Sequence, residues 1–306
     1  MGKILHKKIN NVLIIGGGAI GLEYASILSF LDQQATVITR SGSNESALVR
    51  ARVIAGDVAD LSLNDLHRFT HFIIAVQPRY TFSIMRYLLE NTKAHILVEK
   101  PVCLSSTDFE LIHANKFNER IYVAFNRRNF ESTKLARSII GEKPVISMEV
   151  CFTEMKDRMR GSDEEVRLWG MCNTIHLFDM AFYLAGIPEN VQTVCSTIGN
   201  VDSYSVTGSL ENGVVSMNAH WGGPGNWGIT VTTPAEKLFF DPLEKLRVQK
   251  SGSFKKEEIQ LDLGVNGKFK DGFLSQTIDF LDGSKDKFIS HAEYKRLILV
   301  IEKIFK

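Results

Sequence analysis

Short apolar runs recur through the first third of the chain, each separated from the next by a stretch of helical character. Val12–Ile15 is wholly aliphatic, and Ala35–Thr39 is rich in β-branched residues. Phe72–Val76 and His95–Val98 are again apolar, Ile121–Phe125 closes the series, and Val53-Ile54 is a weaker member. Runs this short, bounded by turns, read as strands buried on both faces. The segments Ile20–Leu31 and Tyr80–Asn91 between them read as helices. Such alternation predicts an α/β fold with a parallel sheet covered on either side.

From Val145 onward the pattern changes. Ile146–Phe152, Val191–Ile198, Tyr204–Leu210, Gly213–Ala219, Gly228–Thr233 and Lys237–Phe240 are strand-like segments in quick succession. Asn212-Gly213 marks a hairpin, because Asn-Gly supplies the positive φ of a tight turn. Short connections and alternating polarity predict an open, mostly antiparallel sheet. One helix, about Thr174–Leu184, interrupts it, and helices around Phe273–Leu281 and Ala292–Phe305 end the chain. Two domains result, 1–124 of α/β type and 125–306 of α+β type.

At 306 residues, the length accommodates two domains. A formal charge of +1, with 23% charged residues, gives no basic field for nucleic acid or an anionic membrane. The four cysteines (Cys103, Cys151, Cys172, Cys195) have no metal-ligand spacing and read as free thiols of a reducing cytoplasm. Lys3, Lys7 and Lys8 ahead of Val12–Ile15 resemble the start of a signal peptide, but the glycines at 16–18 break a run too short to span a bilayer. Gly2 suggests myristoylation, yet His6 stands where Ser or Thr is needed. The expectation is a cytoplasmic, unanchored chain.

The chemistry begins at Gly16-x-Gly18-x-x-Gly21, which follows a strand and opens a helix. Its glycines permit a tight turn, close approach to a pyrophosphate and close helix packing, and the helix start offers N–H groups to phosphates. In this context the motif predicts a doubly wound Rossmann domain that binds a dinucleotide, with Gly16, Gly18, Ala19, Ile20 and Gly21 in contact with it. The second strand ends at Arg40-Ser41, without the acid that holds the ribose of NAD. Arg40 and Ser41 can instead bind a 2′-phosphate, so NADP is favoured and NAD remains an alternative; Arg40 can equally be a solvated loop residue. Ala75, Gln77 and Pro78 end the fourth strand, where ligands of open α/β sheets sit, or where the chain simply turns.

Lys100 follows a buried strand and precedes Pro101, which biases it to extended backbone. A lysine fixed there can hydrogen-bond a substrate oxygen and exchange a proton with it, or it can be an ordinary surface lysine. Glu99 beside it is a candidate ribose contact or charge partner, and Glu99 and Lys100 both stand among the expected cofactor contacts. His176 lies near a helix start among Ile175, Leu177 and Phe178. Imidazole suits proton transfer near neutral pH, the alternative being a satisfied helix histidine. Asp179, at i+3, can orient the ring or cap the turn. No histidine spacing points to a metal. Arg127 and Arg128 can meet an anionic substrate or the cofactor, or equally form salt bridges. Trp221 and Trp227 flank a Gly-rich loop, suited to stacking on a sugar ring or a base, or equally to burial or a subunit interface.

Taken together, these residues resemble the Gfo/Idh/MocA oxidoreductases over essentially the whole chain. The likeness rests on Gly16–Gly21, Ala75–Pro78, Glu99-Lys100-Pro101, Asn126-Arg127-Arg128 and His176-x-x-Asp179. It implies an N-terminal Rossmann domain and a C-terminal open sheet that serves substrate binding and assembly, as a dimer or tetramer. It also implies NAD(P)-dependent oxidation or reduction of a sugar or sugar-nucleotide hydroxyl. By resemblance, Lys100 binds the reacting oxygen and His176 is the acid/base. Many members carry an aspartate four residues before that histidine; here the position is Cys172, followed by Asn173. A thiol lacks a carboxylate's charge and acceptors, so either Asn173 helps hold substrate or Lys100 and His176 act alone. The histidine often found after Pro78 is also absent.

The sequence reading is therefore an NADP-dependent sugar or sugar-nucleotide oxidoreductase with catalytic Lys100 and His176. Arg128, Cys172, Asn173, Asp179 and Trp221 are its substrate-binding candidates. Two alternatives stand beside it, a non-catalytic dinucleotide-binding regulator and an imine or enone reductase.

Overall fold

A computed structural model describes residues 9–40, 51–159 and 161–305. The chain divides into two compact units, one running to Ala124 and taking in Asn266–Ala292, the other comprising Phe125–Val265 and the segment from Glu293.

The first unit is built on six strands: β1 (Asn11–Ile15), β2 (Gln34–Thr39), β3 (Arg52–Ala55), β4 (His71–Ile74), β5 (His95–Glu99) and β6 (Ile121–Ala124). They pair in the order β3-β2-β1-β4-β5-β6, all parallel. Val12, Leu13 and Ile14 of the central strand are completely buried, as a strand covered on both faces requires. The order reverses between β1 and β4, and ligands of such sheets bind beyond the carboxyl ends of the strands at that point. Helix Ala19–Phe30 follows β1, and helix Pro78–Asn91 follows β4 with its proline in the first turn, where the missing N–H costs nothing.

Residues 266–292, expected in the second domain, belong to the first unit. The reason is packing. Phe273, Leu274, Phe280, Leu281 and Phe288 share one core with Tyr24, Ala25, Ile27, Leu28 and Tyr122. The Phe273 ring lies 5.2 Å from Tyr24, and Phe280 lies 5.1 Å from Tyr122. Lys285 donates to the Ile121 carbonyl and stacks over Tyr122.

The second unit carries eight strands: β7 (Ser147–Phe152), β8 (Glu189–Ile198), β9 (Val201–Ser209), β10 (Val214–Trp221), β11 (Trp227–Thr232), β12 (Glu236–Phe240), β13 (Leu246–Lys250) and β14 (Glu257–Ile259). Their order is β14-β13-β12-β11-β7-β10-β9-β8, antiparallel throughout except for the parallel pair β7–β10. β10 shows why the sheet has one core face: Val215, Met217, Ala219 and Trp221 are buried, while Val214, Ser216, Asn218 and His220 are exposed. Helix Ile175–Ala185 packs in this unit with nine buried residues and supplies much of its core. Two short strands, β13 and β14, and helix Glu131–Ile140 were not apparent in the sequence.

Candidate active site

The glycine turn divides its three positions by function. Gly16 has φ +111°, and a Cβ there would lie 2.2 Å from the Ala75 carbonyl oxygen. A Cβ at Gly21 would lie 1.9 Å from the Gly16 carbonyl oxygen. Both positions are dictated by the chain's own packing. Gly18 differs: its backbone is ordinary extended chain, and among the described residues a Cβ would meet nothing within 4 Å. Protein packing gives no reason for glycine there, whereas a ligand pressed against the backbone does. Helix Ala19–Phe30 starts at this point with no side-chain cap and no acid in its first turn. Its leading N–H groups and positive dipole end are those of an anion site. Ala75 forms the wall behind Gly16, its N–H bonded to the Ile15 carbonyl at 2.9 Å.

Beside the turn lies a cavity of about 190 Å³, lined by residues that include Gly16, Thr39, Arg40, Asp57, Gln77 and Tyr80. Arg40 reaches Asp57 Oδ2 through Nε at 3.3 Å and Nη2 at 3.1 Å, and its guanidinium lies 4.8 Å from the centre of the Tyr80 ring. Hydrogen bonds from Arg79 and Arg40 lower the Tyr80 hydroxyl below its usual pKa. Gln77 and Pro78 begin the helix behind the cavity. Asp57 went unnoticed in the sequence. Its signal was available, since Gly56-Asp57 follows β3, the neighbour of β2. Ser41 lies outside the described residues. Glycine turn, open helix end and adjoining cavity together fit a dinucleotide.

At the end of β5, Glu99 Oε1 accepts from the Tyr24 hydroxyl at 2.7 Å, and that hydroxyl accepts from Gln276 Nε2 at 2.9 Å. Burial raises the Glu99 carboxyl above its ordinary value, against the opposing effects of the Tyr24 hydrogen bond and the Lys100 charge. Glu99 thus faces inward as an anchor and charge neighbour of Lys100. Tyr24 and Gln276, neither singled out in the sequence, complete the anchor from far along the chain.

In the second unit, His176 is buried in the first turn of its helix, edge-on to Phe125 at 6.2 Å. The preceding Gly170–Thr174 is a π-helical turn, a distortion often found at functional sites. Gly170 is required there because a Cβ would sit 2.2 Å from the Phe305 ring. Cys172 is buried. Asn173 Nδ2 and Thr174 Oγ1 both donate to Oε1 of buried Glu154, at 3.0 and 2.8 Å. A carboxylate is therefore present beside this turn, supplied from just past β7 rather than from position 172. With its amide nitrogen on Glu154, Asn173 keeps its Oδ1 as an acceptor.

Arg128 and Asp179 hold each other. Arg128 Nε lies 3.1 and 3.0 Å from the two carboxylate oxygens, and Nη2 lies 2.7 Å from Oδ1. The side chains are 10% and 1% exposed. Burial opposes the Arg128 charge, but the Asp179 carboxylate outweighs it and raises the guanidinium pKa. The salt bridge, one of the alternatives at Arg128, is present. Trp221 is not a loop aromatic: it is buried, donates Nε1 to the Phe152 carbonyl at 2.9 Å and packs 4.9 Å from Phe305. Trp227 is half-buried beneath Arg127, whose guanidinium is 5.2 Å from its ring.

Among the described residues, no helix is long and apolar enough to cross a membrane. Nor does any group of three or more His, Cys, Asp or Glu among them form a metal-binding cluster.

Residues 10–124 match the model of a protein family, GFO_IDH_MocA, described as an oxidoreductase family with an NAD-binding Rossmann fold. No curated protein matches the sequence. Solved structures match over nearly the full length. A dehydrogenase (MviM) from Clostridium difficile gives a TM-score of 0.73 at 18% identity, covering 97% of this chain and 99% of that one. The UDP-N-acetylglucosamine 3-dehydrogenase GnnA from Acidithiobacillus ferrooxidans gives 0.75 at 16% identity, with 97% of each chain covered. A levoglucosan dehydrogenase in complex with NADH gives 0.72 at 18% identity, covering 97% and 96%. At these identities the likeness shows the fold.

Proposed function

We propose that this chain, which belongs through residues 10–124 to the GFO_IDH_MocA oxidoreductases, is an NADP-preferring dehydrogenase of a sugar or sugar nucleotide. The observation that carries the reading is Gly18, open on the ligand side of the turn while Gly16 and Gly21 are fixed by packing. Gly16–Gly21, with Ala75, Gln77 and Pro78 behind them, would hold the dinucleotide, and Arg40 with Ser41 would meet its adenosine end. Once bound, the dinucleotide supplies the hydride donor or acceptor. The sugar class is supported by the names of the UDP-N-acetylglucosamine and levoglucosan dehydrogenases that share the fold.

The chain's own residues handle the proton and the oxygen. Lys100, beside the anchored Glu99, polarises the substrate oxygen with its ammonium group. His176 removes the hydroxyl proton in oxidation and returns it in reduction. Asn173 Oδ1 accepts from a substrate hydroxyl, with Glu154 holding the amide in that orientation. The cysteines are free thiols, in keeping with a cytoplasmic protein. Exposed Val194, Ile198 and Val214 on the open sheet favour a homo-oligomer.

The test is turnover of UDP-sugars, other nucleotide sugars, free sugars and cyclitols with NADP⁺ or NAD⁺, followed by nicotinamide absorbance. Oxidation of one of these classes, faster with NADP⁺, is expected. Saturable dinucleotide binding with no turnover across the panel would make the chain a non-catalytic regulator instead.

A further inference from the structure

The charge pair at the cavity beside the glycine turn bears on which dinucleotide is chosen. Arg40 is the basic residue at the end of β2, with its side chain 65% exposed, yet it is not alone there. Asp57 takes both Nε and Nη2 of Arg40 on one oxygen, Oδ2. Its other oxygen, Oδ1, accepts from the Ala59 N–H at 3.3 Å, while its own N–H donates to Asp60 Oδ2 at 3.0 Å. This reciprocal cap of the Val58–Asp60 turn holds the carboxylate against the guanidinium. Tyr80 carries Arg40 on its ring at 4.8 Å and Arg79 at 5.0 Å, and Arg79 also donates to Gln77 Oε1. Among the described residues, the cavity lining therefore sets the Arg40 guanidinium against the fixed Asp57 carboxylate, with Arg79 on the ring of the lining Tyr80.

An adenosine 2′-phosphate and a 2′-hydroxyl meet this arrangement differently. The phosphate needs the guanidinium edge that Asp57 already engages, and its charge is repelled by a carboxylate a few ångströms away. A hydroxyl has no such conflict and can donate to the same carboxylate. We infer that Asp57 is a specificity-determining residue that restrains the NADP preference conferred by Arg40 and so keeps NAD usable. This rests on the reading that the first unit holds a dinucleotide.

The test compares dissociation constants of NADPH and NADH for the full chain at low salt, by nicotinamide fluorescence and calorimetry. Two variants are used, Asp57→Asn and Arg40→Ala. Asparagine caps a turn as well as aspartate does, so Asp57→Asn removes the charge and leaves the cap. Asp57→Asn is expected to tighten NADPH by about threefold or more and to move NADH by less than about twofold, the scale of a surface charge pair. Arg40→Ala is expected to weaken NADPH by about tenfold and NADH by much less. If both dinucleotides bind but Asp57→Asn leaves their ratio unchanged, or weakens NADPH, Asp57 only scaffolds Arg40 and the inference is overturned while the cradle stands. If the unmodified chain binds neither dinucleotide, the cradle reading fails and this inference fails with it.

Discussion

Lys100→Met is expected to lower kcat on the substrate identified by the sugar panel by about a thousandfold, within the 10²–10⁴ range of a lost acid–base or oxygen-polarising group. Methionine keeps the length and apolar stem of the side chain but offers no proton and no positive charge. Glu99 would remain tied to Tyr24, so NADPH affinity should change by less than about fivefold. The split matters: a loss confined to kcat marks a group that acts on the reacting oxygen, whereas a loss shared with NADPH binding marks a cofactor contact. Near-unmodified kinetics would point to imine or enone reduction, which depends less on a lysine–histidine pair.

Asp179→Ala is expected to cost about 3–5 kcal/mol of stability, because it leaves the Arg128 guanidinium buried without its carboxylate. At roughly 2–4 °C per kcal/mol for a unit of this size, the melting temperature of the second unit should fall by about 10 °C. The double variant Arg128→Met/Asp179→Leu should recover most of that loss, since an apolar pair carries no desolvation cost. Calorimetry on the three proteins checks this. A stable Asp179→Ala protein that has lost turnover would restore Asp179 to the substrate site.

The same contrast explains what the sequence made legible. The parallel sheet was readable because its strands are uninterrupted apolar runs, and the glycine turn because its spacing is local. Glu154, Tyr24 and Gln276 were not, since each acquires meaning from a partner distant in the sequence. Gln276 meets Tyr24 across 252 positions, and Glu154 meets Asn173 across 19. Residues 266–292 carried a clear helical pattern, but an amphipathic pattern does not say which core a helix will join. β13 is weak in the sequence because it is five residues long and only Leu246 and Val248 supply its buried apolar positions, and helix Glu131–Ile140 because two of its four buried positions, Ser132 and Thr133, are polar. At Trp221 the sequence offered burial or binding and at Arg128 a salt bridge or binding; Trp221 is buried and Arg128 is paired with Asp179.

The most direct measurement is an NADPH fluorescence titration of the unmodified chain beside Gly18→Ala, with the melting temperature of each. A Cβ at this position meets no atom of the described residues beyond its chain neighbours within 4 Å, so stability should change by less than about 1 kcal/mol, the usual scale of a Gly-to-Ala exchange at an unstrained position. The unmodified chain should bind NADPH saturably, and the variant should bind it about tenfold or more weakly, because the added methyl stands where the pyrophosphate must approach. Equal affinity in the two proteins, or no binding to either, would contradict the account.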